Sequence, residues 1–423
     1  MAAMTHVDAE IPLDVESCRR QFPGLARQVG GRPAVFFDGP AGSQVPQRVI
    51  DAVSGYLSTT HANHGGRFAT SIESDALVAA AHRAVADFLG ADDPDTVIFG
   101  ANMTTLTFAL SRAVARTWRP GDEVVVTRLD HDANVTAWEL AARDAGAVVR
   151  RVAIRASDCT LDLDDFARQV SPRTRLVAVG AASNATGTVN PVAEIVEMAH
   201  AVGAEVFIDA VHYAPHRAID VAAWNCDYLV CSAYKFFGPH VGILWGRREQ
   251  LEQLPAYKVR PAPDELPGRW MTGTPNLEGI AGTKAAVEYL ADLGRAGHDQ
   301  RMSRRDEIVA AFARIAAHER LLCERLLRGL EKIPAFRVWG ISDPARLDER
   351  VPTVSVTHRR LRPVGIAERL GHEGIFVWHG NHYAVELSEA LGLEPHGTLR
   401  IGLLHYNTAD EVDRLMDVLA SME

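Results

Sequence analysis

In CSAYKFFGPHVGILWG, residues 231–246, a single lysine stands among aromatic, small and β-branched residues. An amine in such an apolar stretch is desolvated, which favours its neutral, nucleophilic form and suits imine formation with an aldehyde. Asp209 precedes Lys235, with one further apolar run, DYLVCSAY, between them. Taken singly, Lys235 reads as a strand-end lysine with its head in solvent, and Asp209 as a helix cap or surface ion-pair partner. Taken together they match the needs of a heteroaromatic aldehyde: an amine for the carbonyl and a carboxylate for the ring nitrogen.

Pyridoxal phosphate is the cofactor that this pair implies, because a protonated pyridine nitrogen turns its ring into an electron sink. The remaining requirement is a phosphate site. Thr104, Thr105, Ser232 and Thr274, with the backbone N–H groups opening the helix after residue 103, are the candidates. His131, in LDHDAN, is the candidate to lie over the ring and share in proton transfer; alone it reads as a helix-start residue beside Asp130 and Asp132.

These residues need elements to hold them. From about residue 95 to 245 short apolar runs (DTVIFG, DEVVVTR, TRLVAVGAAS, EVFIDA) alternate with helical stretches. That alternation predicts an α/β domain with a mainly parallel sheet covered on both faces, whose ligands bind at the carboxyl ends of the strands. The runs end at Thr104 and Thr105, at His131, at Ser183 and Asn184, and at Asp209 and His212. Beyond about residue 290 a long charged helix, DQRMSRRDEIVAAFARIAAHERLLCERLLRGLEKI, leads into short strands such as VPTVSVTH. The expectation is a large cofactor-binding domain over 36–288 and a smaller α+β domain built from 1–35 with 289–423.

Composition narrows the function classes. The chain has 423 residues, 47% of them hydrophobic, enough for substantial cores. With 44 Lys and Arg against 54 Asp and Glu, and no long basic stretch, nucleic acid is not an expected partner. No apolar run approaches the roughly 20 residues a membrane span needs, and the N-terminus MAAMTHVDAEIPLD has no basic-then-apolar order, so a cytoplasmic location is expected. The five cysteines, Cys18, Cys159, Cys226, Cys231 and Cys323, show no CxxC spacing, so no disulfide framework and no metal site is expected.

From FFDGPAGSQVP to LRIGLLHYNT the chain resembles the class V aminotransferase family of fold-type I pyridoxal-phosphate enzymes, in the branch of cysteine desulfurases and selenocysteine lyases. The resemblance implies that His131 is the stacking histidine of a His-x-Ala-Asn motif, and that Asn184 of SNATGT contacts the ring oxygen. It implies Asp209 of IDAVHYAPH as the partner of the ring nitrogen, with His212 where desulfurases usually carry glutamine. Lys235 is implied as the Schiff-base lysine, with Tyr234 replacing the usual histidine before it. Thr274 of TGTPN is implied to reach the phosphate held by a partner subunit, hence a homodimer. Arg400 is implied to clamp the α-carboxylate of an amino-acid substrate, a task suited to a planar, bidentate donor.

One segment departs from the family pattern. Where desulfurases carry a nucleophilic cysteine on a Gly-Ile-x-Val-Arg-x-Gly-x-His-Cys-Ala loop, this chain has GIFVWHGNHYA, with Tyr383 at the cysteine and Trp378 at the arginine. A phenol cannot form a persulfide, and Cys231, within an apolar strand, is expected to be inert core. Trp378, His379, Asn381, His382 and Tyr383 are expected to face the cofactor, with Arg67 and His64 of NHGGRF approaching from an N-terminal loop. The expected function is a C–S or C–Se lyase working by β-elimination without an enzyme thiol. A class V aminotransferase, epimerase or decarboxylase, or a cofactor-binding partner protein without turnover, stands as the alternative.

Overall fold

A computed structural model describes residues 11–297 and 302–422. Residues 1–10 of the expected small domain, and Asp299 to Arg301 at the expected start of the long helix, lie outside them.

The apolar runs form one seven-stranded sheet. Its strands are β2 (Val97–Gly100), β3 (Glu123–Thr127), β4 (Val148–Val152), β5 (Thr174–Gly180), β6 (Glu205–Asp209), β7 (Tyr228–Ser232) and β8 (Gly242–Gly246). Their spatial order is β2-β8-β7-β6-β5-β3-β4. β8 runs antiparallel to both neighbours, while the pairings among β7, β6, β5, β3 and β4 are parallel. The parallel order follows from the crossover helices, among them α2 (Met103–Ala115), α3 (Thr136–Ala145) and α4 (Val192–His200). β3, β7 and β8 are buried at every position, as a sheet covered on both faces requires.

A second, four-stranded antiparallel sheet is ordered β9-β10-β13-β12, from β9 (Phe336–Trp339), β10 (Thr353–His358), β12 (Trp378–Gly380) and β13 (Thr398–Gly402). The long helix is α6 (Arg304–Glu331); α7 (Pro363–His372) and α8 (Ala409–Ala420) follow. The short strand β1 (Val35–Phe36) pairs with β11 (Ile375–Phe376).

Packing crosses the expected boundaries. α5 (Leu277–Arg295) runs beyond 288, and its Tyr289, Leu290 and Ala291 still pack into the large-sheet core. β1 obeys the strand period of two: Phe36 packs into the large-sheet core, and Val35 and Phe37 into the small-sheet core. α6 does the same along its length, with Ile308, Phe312 and Ile315 in the first core and Leu322, Leu326 and Leu330 in the second. Among the described residues no helix is long and apolar enough to cross a membrane.

Candidate active site

β7 ends at Ser232, the chain makes one tight turn over Ala233–Lys235, and β8 returns antiparallel beside it. Ala233 closes that turn: its N–H donates to Val241 (2.8 Å), and its carbonyl accepts from Phe236 (2.9 Å) and Gly238 (2.9 Å). Phe236 and Phe237 are fully buried, and Phe237 takes φ +71°, a left-handed conformation that a bulky residue adopts only when its surroundings impose it.

A segment to which the sequence reading assigned no residue completes the turn. Ser43 N–H donates to the Tyr234 carbonyl (3.0 Å), and Phe237 N–H donates to Ser43 Oγ (2.8 Å). Lys235 Nζ donates to the Pro40 carbonyl. At its other end the segment meets β13: Gly402 N–H donates to the Phe37 carbonyl (2.8 Å), and a Cβ on Gly402 would lie 2.0 Å from Pro40 Cδ. Residues 37–43 therefore tie the Lys235 turn to the strand carrying Arg400. The signal was the run of turn residues in DGPAGS.

The strand ends bring the remaining groups together. Asp209 closes β6, and its Oδ1 accepts the Val211 N–H at 2.9 Å. Burial pushes its carboxyl up to about 6, against the pull of that N–H and of Lys235. Burial likewise brings the Lys235 amine down to about 7, helped by Arg400 and opposed by Asp209. His131 follows β3, and burial, Lys235 and Arg400 bring it down to about 4, so its ring is neutral. Its Nδ1 accepts the Ala133 N–H at 3.0 Å, which places the ring proton on Nε2. Asn184 donates through Nδ2 to the His382 carbonyl (2.7 Å), and Arg400 donates through Nη1 to the Asn184 carbonyl (2.8 Å). His212 is buried, bonded through Nε2 to Thr353 Oγ1 at 2.9 Å, and burial drives its pKa well down. Asp38 is partly buried near Arg400, and desolvation raises its carboxyl to about 6.

Comparison with known proteins bears directly on this arrangement. The family Aminotransferase class-V matches residues 35–415. The chain belongs to the class-V aminotransferase family. It is 32% identical over 430 residues to a probable cysteine desulfurase of Streptomyces coelicolor, covering 96% of each chain. It is 32% identical to a cysteine desulfurase of Synechococcus elongatus, where it spans 64% of that protein's length. Among solved structures it resembles the apo cysteine desulfurase of Thermococcus onnurineus (TM-score 0.86, 26% identity, 98% of each chain). It also resembles a cysteine desulfurase of Escherichia coli (TM-score 0.83, 26% identity, 97% of this chain and 98% of that one).

Class-V aminotransferases use pyridoxal 5'-phosphate, and this chain is a pyridoxal-phosphate-dependent enzyme of fold-type I. The residues present fit that group. Arg400 Nε and Asn184 Oδ1 are buried with no hydrogen-bond partner, and such atoms are costly unless a ligand satisfies them. A substrate carboxylate matches the guanidinium, and a ring hydroxyl matches the amide oxygen.

The segment GIFVWHGNHYA, residues 374–384, docks on the cluster through its backbone. Asp132 N–H donates to the Tyr383 carbonyl at 2.6 Å, and the Tyr383 ring lies parallel to His131, centroids 5.4 Å apart at 18°. His382 and Tyr383 both take positive φ, +57° and +58°. His382 is held by Thr398 Oγ1 (3.0 Å). The amide of Asn381 is engaged within the small domain, donating to Glu394 (2.9 Å) and accepting from Tyr383 N–H (3.1 Å). Trp378 is 51% exposed and pairs across the ladder with Arg400.

Of the phosphate candidates, Ser232 Oγ accepts the Met103 N–H (3.1 Å), joining the Lys235 strand to the first turn of α2. Thr104 stands partly exposed on that turn, and Thr105 Oγ1 donates to the N-cap Asn102 (3.0 Å). Thr274 lies exposed on the loop before α5, and His64 and Arg67 are exposed. Tyr234 stacks on His240, centroids 5.0 Å apart at 20°. All five cysteines are free and buried. Burial pushes the thiols up, to about 11 in Cys18 and Cys159 and about 12 in Cys226, and Cys231 and Cys323 rise for the same reason.

Proposed function

We propose that the chain is a lyase that eliminates a sulfur- or selenium-containing group from Cβ of an α-amino acid, without an enzyme thiol. The observation that carries this reading is the parallel placement of Tyr383 against His131, at the position where desulfurases hold their cysteine, with every cysteine buried. A buried thiol with a raised pKa is a poor sulfur acceptor.

When bound, pyridoxal phosphate supplies an electron sink at Cα. Arg400 holds the substrate carboxylate in a bidentate clamp. Lys235, whose amine has a pKa near neutrality, would take the Cα proton of the bound substrate. Asp209 holds the proton on the ring nitrogen by charge. His131 covers the ring and presents Nε2–H as a donor, since Nδ1 is occupied by Ala133. Thr104, Thr105 and Ser232 receive the phosphate, Asn184 and His212 border the ring, and Tyr234 flanks Lys235. Trp378, Tyr383 and the Asn381 turn form the substrate side.

The same reading includes a large domain carrying Lys235 and a small domain carrying Arg400, with α6 shared by both cores. It includes a cytoplasmic homodimer in which Thr274 serves the partner subunit's phosphate. Leu57, Phe68 and Ile72, all half exposed, are apolar surface of the kind that a second subunit covers.

The test is to give the cofactor-loaded protein cysteine, S-substituted cysteines, a cysteine sulfoxide and selenocysteine, and to measure pyruvate and ammonia against the released sulfide, thiol, sulfenic acid or selenide respectively. Equimolar pyruvate, ammonia and leaving group, lost in Lys235→Ala, is the expected result. Alanine with protein-bound persulfide would overturn it, as would a 2-oxo acid that keeps the substrate's side chain, the product of transamination.

A further inference from the structure

The parallel ladder between β3 and β5 carries a bulge between Glu123 and Val124, and its last matched residues are Val125 and Val177. β5 nevertheless continues to Gly180, where it pairs with Asp209 of β6. The ladder pairs the two strands no further than Val177, and beyond it a side chain links them. Asp130, 4% exposed, accepts the Gly180 N–H through Oδ1 at 2.6 Å. Its Oδ2 lies 2.8 Å from Thr127 Oγ1, the hydroxyl that also accepts the Leu129 N–H at 3.2 Å. The fit leaves no slack: a Cβ on Gly180 would stand 2.4 Å from Asp130 Oδ1.

We propose that Asp130 is a positioning residue for the cofactor ring. Its carboxyl fixes the end of the His131 strand to Gly180, and hence to Asp209, setting the offset between the imidazole over the ring and the carboxylate at its nitrogen. Asp130 neighbours His131 in sequence, and Gly180 neighbours Asp209 across the ladder, so one bridge controls both contacts. Displacements on the order of 1 Å between such groups are enough to cost activity. Burial raises the Asp130 carboxyl to about 8, and the nearby Asp209 charge adds to that rise. Two adjacent carboxyls divide in this way into one neutral and one charged group, which leaves the negative charge to Asp209.

The inference rests on the proposed placement of His131 and Asp209 about the ring, not on elimination chemistry. Its test reads the visible circular dichroism of the bound cofactor, which reports the asymmetry of the ring's surroundings, together with cofactor dissociation and thermal unfolding. Asp130→Asn keeps an acceptor for Gly180, and its amide can donate to the Thr127 hydroxyl once that hydroxyl turns from donor to acceptor; it is expected to retain the visible signal and bind cofactor within about twofold of the native protein. Asp130→Ala is expected to lose most of the visible signal and bind cofactor at least tenfold more weakly. If Asp130→Ala does not fold, Gly180→Ala, which wedges the bridge open, is expected to show the same loss. Native dichroism and affinity in Asp130→Ala or Gly180→Ala would overturn the proposal, as would an Asp130→Asn variant as impaired as Asp130→Ala. A protein that passes this test yet eliminates nothing would sink the lyase reading alone.

Discussion

The Pro40 carbonyl accepts a hydrogen bond from the Lys235 ammonium across 195 residues of sequence. The same short segment holds the Lys235 turn through Ser43 and packs against Gly402 beyond Arg400. The Lys235 amine and the Arg400 guanidinium, which sit on elements of different sheets, are thus spaced by one stretch of backbone.

Ser43→Ala removes the hydroxyl that accepts the Phe237 N–H and donates to the Tyr234 carbonyl. It is expected to cost about 1–2 kcal/mol in chemical denaturation. Gly402→Ala, whose Cβ would meet Pro40 Cδ at 2.0 Å, is expected to cost more, because the contact is with a rigid ring. A neutral effect of both would show that the segment does not restrain the turn.

The Lys235 amine has a folded-state pKa of about 7 against an ordinary lysine value of 10.5. Between those values the unfolded chain binds more protons than the folded one, so stability rises with pH. The penalty of the buried amine is full below about pH 7 and gone above about 10.5. In cofactor-free protein Lys235→Met is therefore expected to stabilise, by on the order of a few kcal/mol near pH 7 less the lost bond to Pro40. Thermal unfolding should show that advantage shrinking as pH rises; an advantage that grows would contradict the desolvated amine.

Arg400→Lys replaces a planar fork with a point charge. The expected outcome is a KM for amino-acid substrates raised about 10- to 100-fold, with a smaller fall in kcat. A substrate analogue that lacks the α-carboxylate should be affected far less. Equal losses with both compounds would remove Arg400 from carboxylate binding.

With all five cysteines buried, iodoacetamide applied to the native protein is expected to leave elimination activity within about 20% of its starting value. Stoichiometric inactivation that substrate prevents would place a reactive thiol at the site.

Tyr383→Cys is expected not to confer efficient persulfide formation, because its loop carries Trp378 and holds His382 and Tyr383 at positive φ. Mass spectrometry of the variant after incubation with cysteine checks this; abundant persulfide at position 383 would show that the side chain alone makes the difference.

Lys235, Asp209 and His131 were legible in the sequence for a physical reason. A parallel sheet announces itself through buried apolar runs, and its ligands gather where those runs end, so each residue's type and place in the alternation marked it as a site candidate. Lys235 lies near Asp209 and Arg400, and Arg400 bonds the Asn184 carbonyl. The Pro40 carbonyl was not legible, because any residue supplies a carbonyl and no residue type marks its direction. Asp130 read as a turn residue beside His131, since its partner, the Gly180 N–H, is brought to it only by the folded sheet. The engagement of the Asn381 amide with Glu394 depends likewise on chain brought near by folding. So do the division of β1 and α6 between two cores and the extension of α5 past 288. Local pattern determined which elements form and which chemistry their ends hold. Tertiary structure alone decided which backbone atoms and buried carboxyls space those ends, because that spacing is set by contacts between segments far apart in the chain.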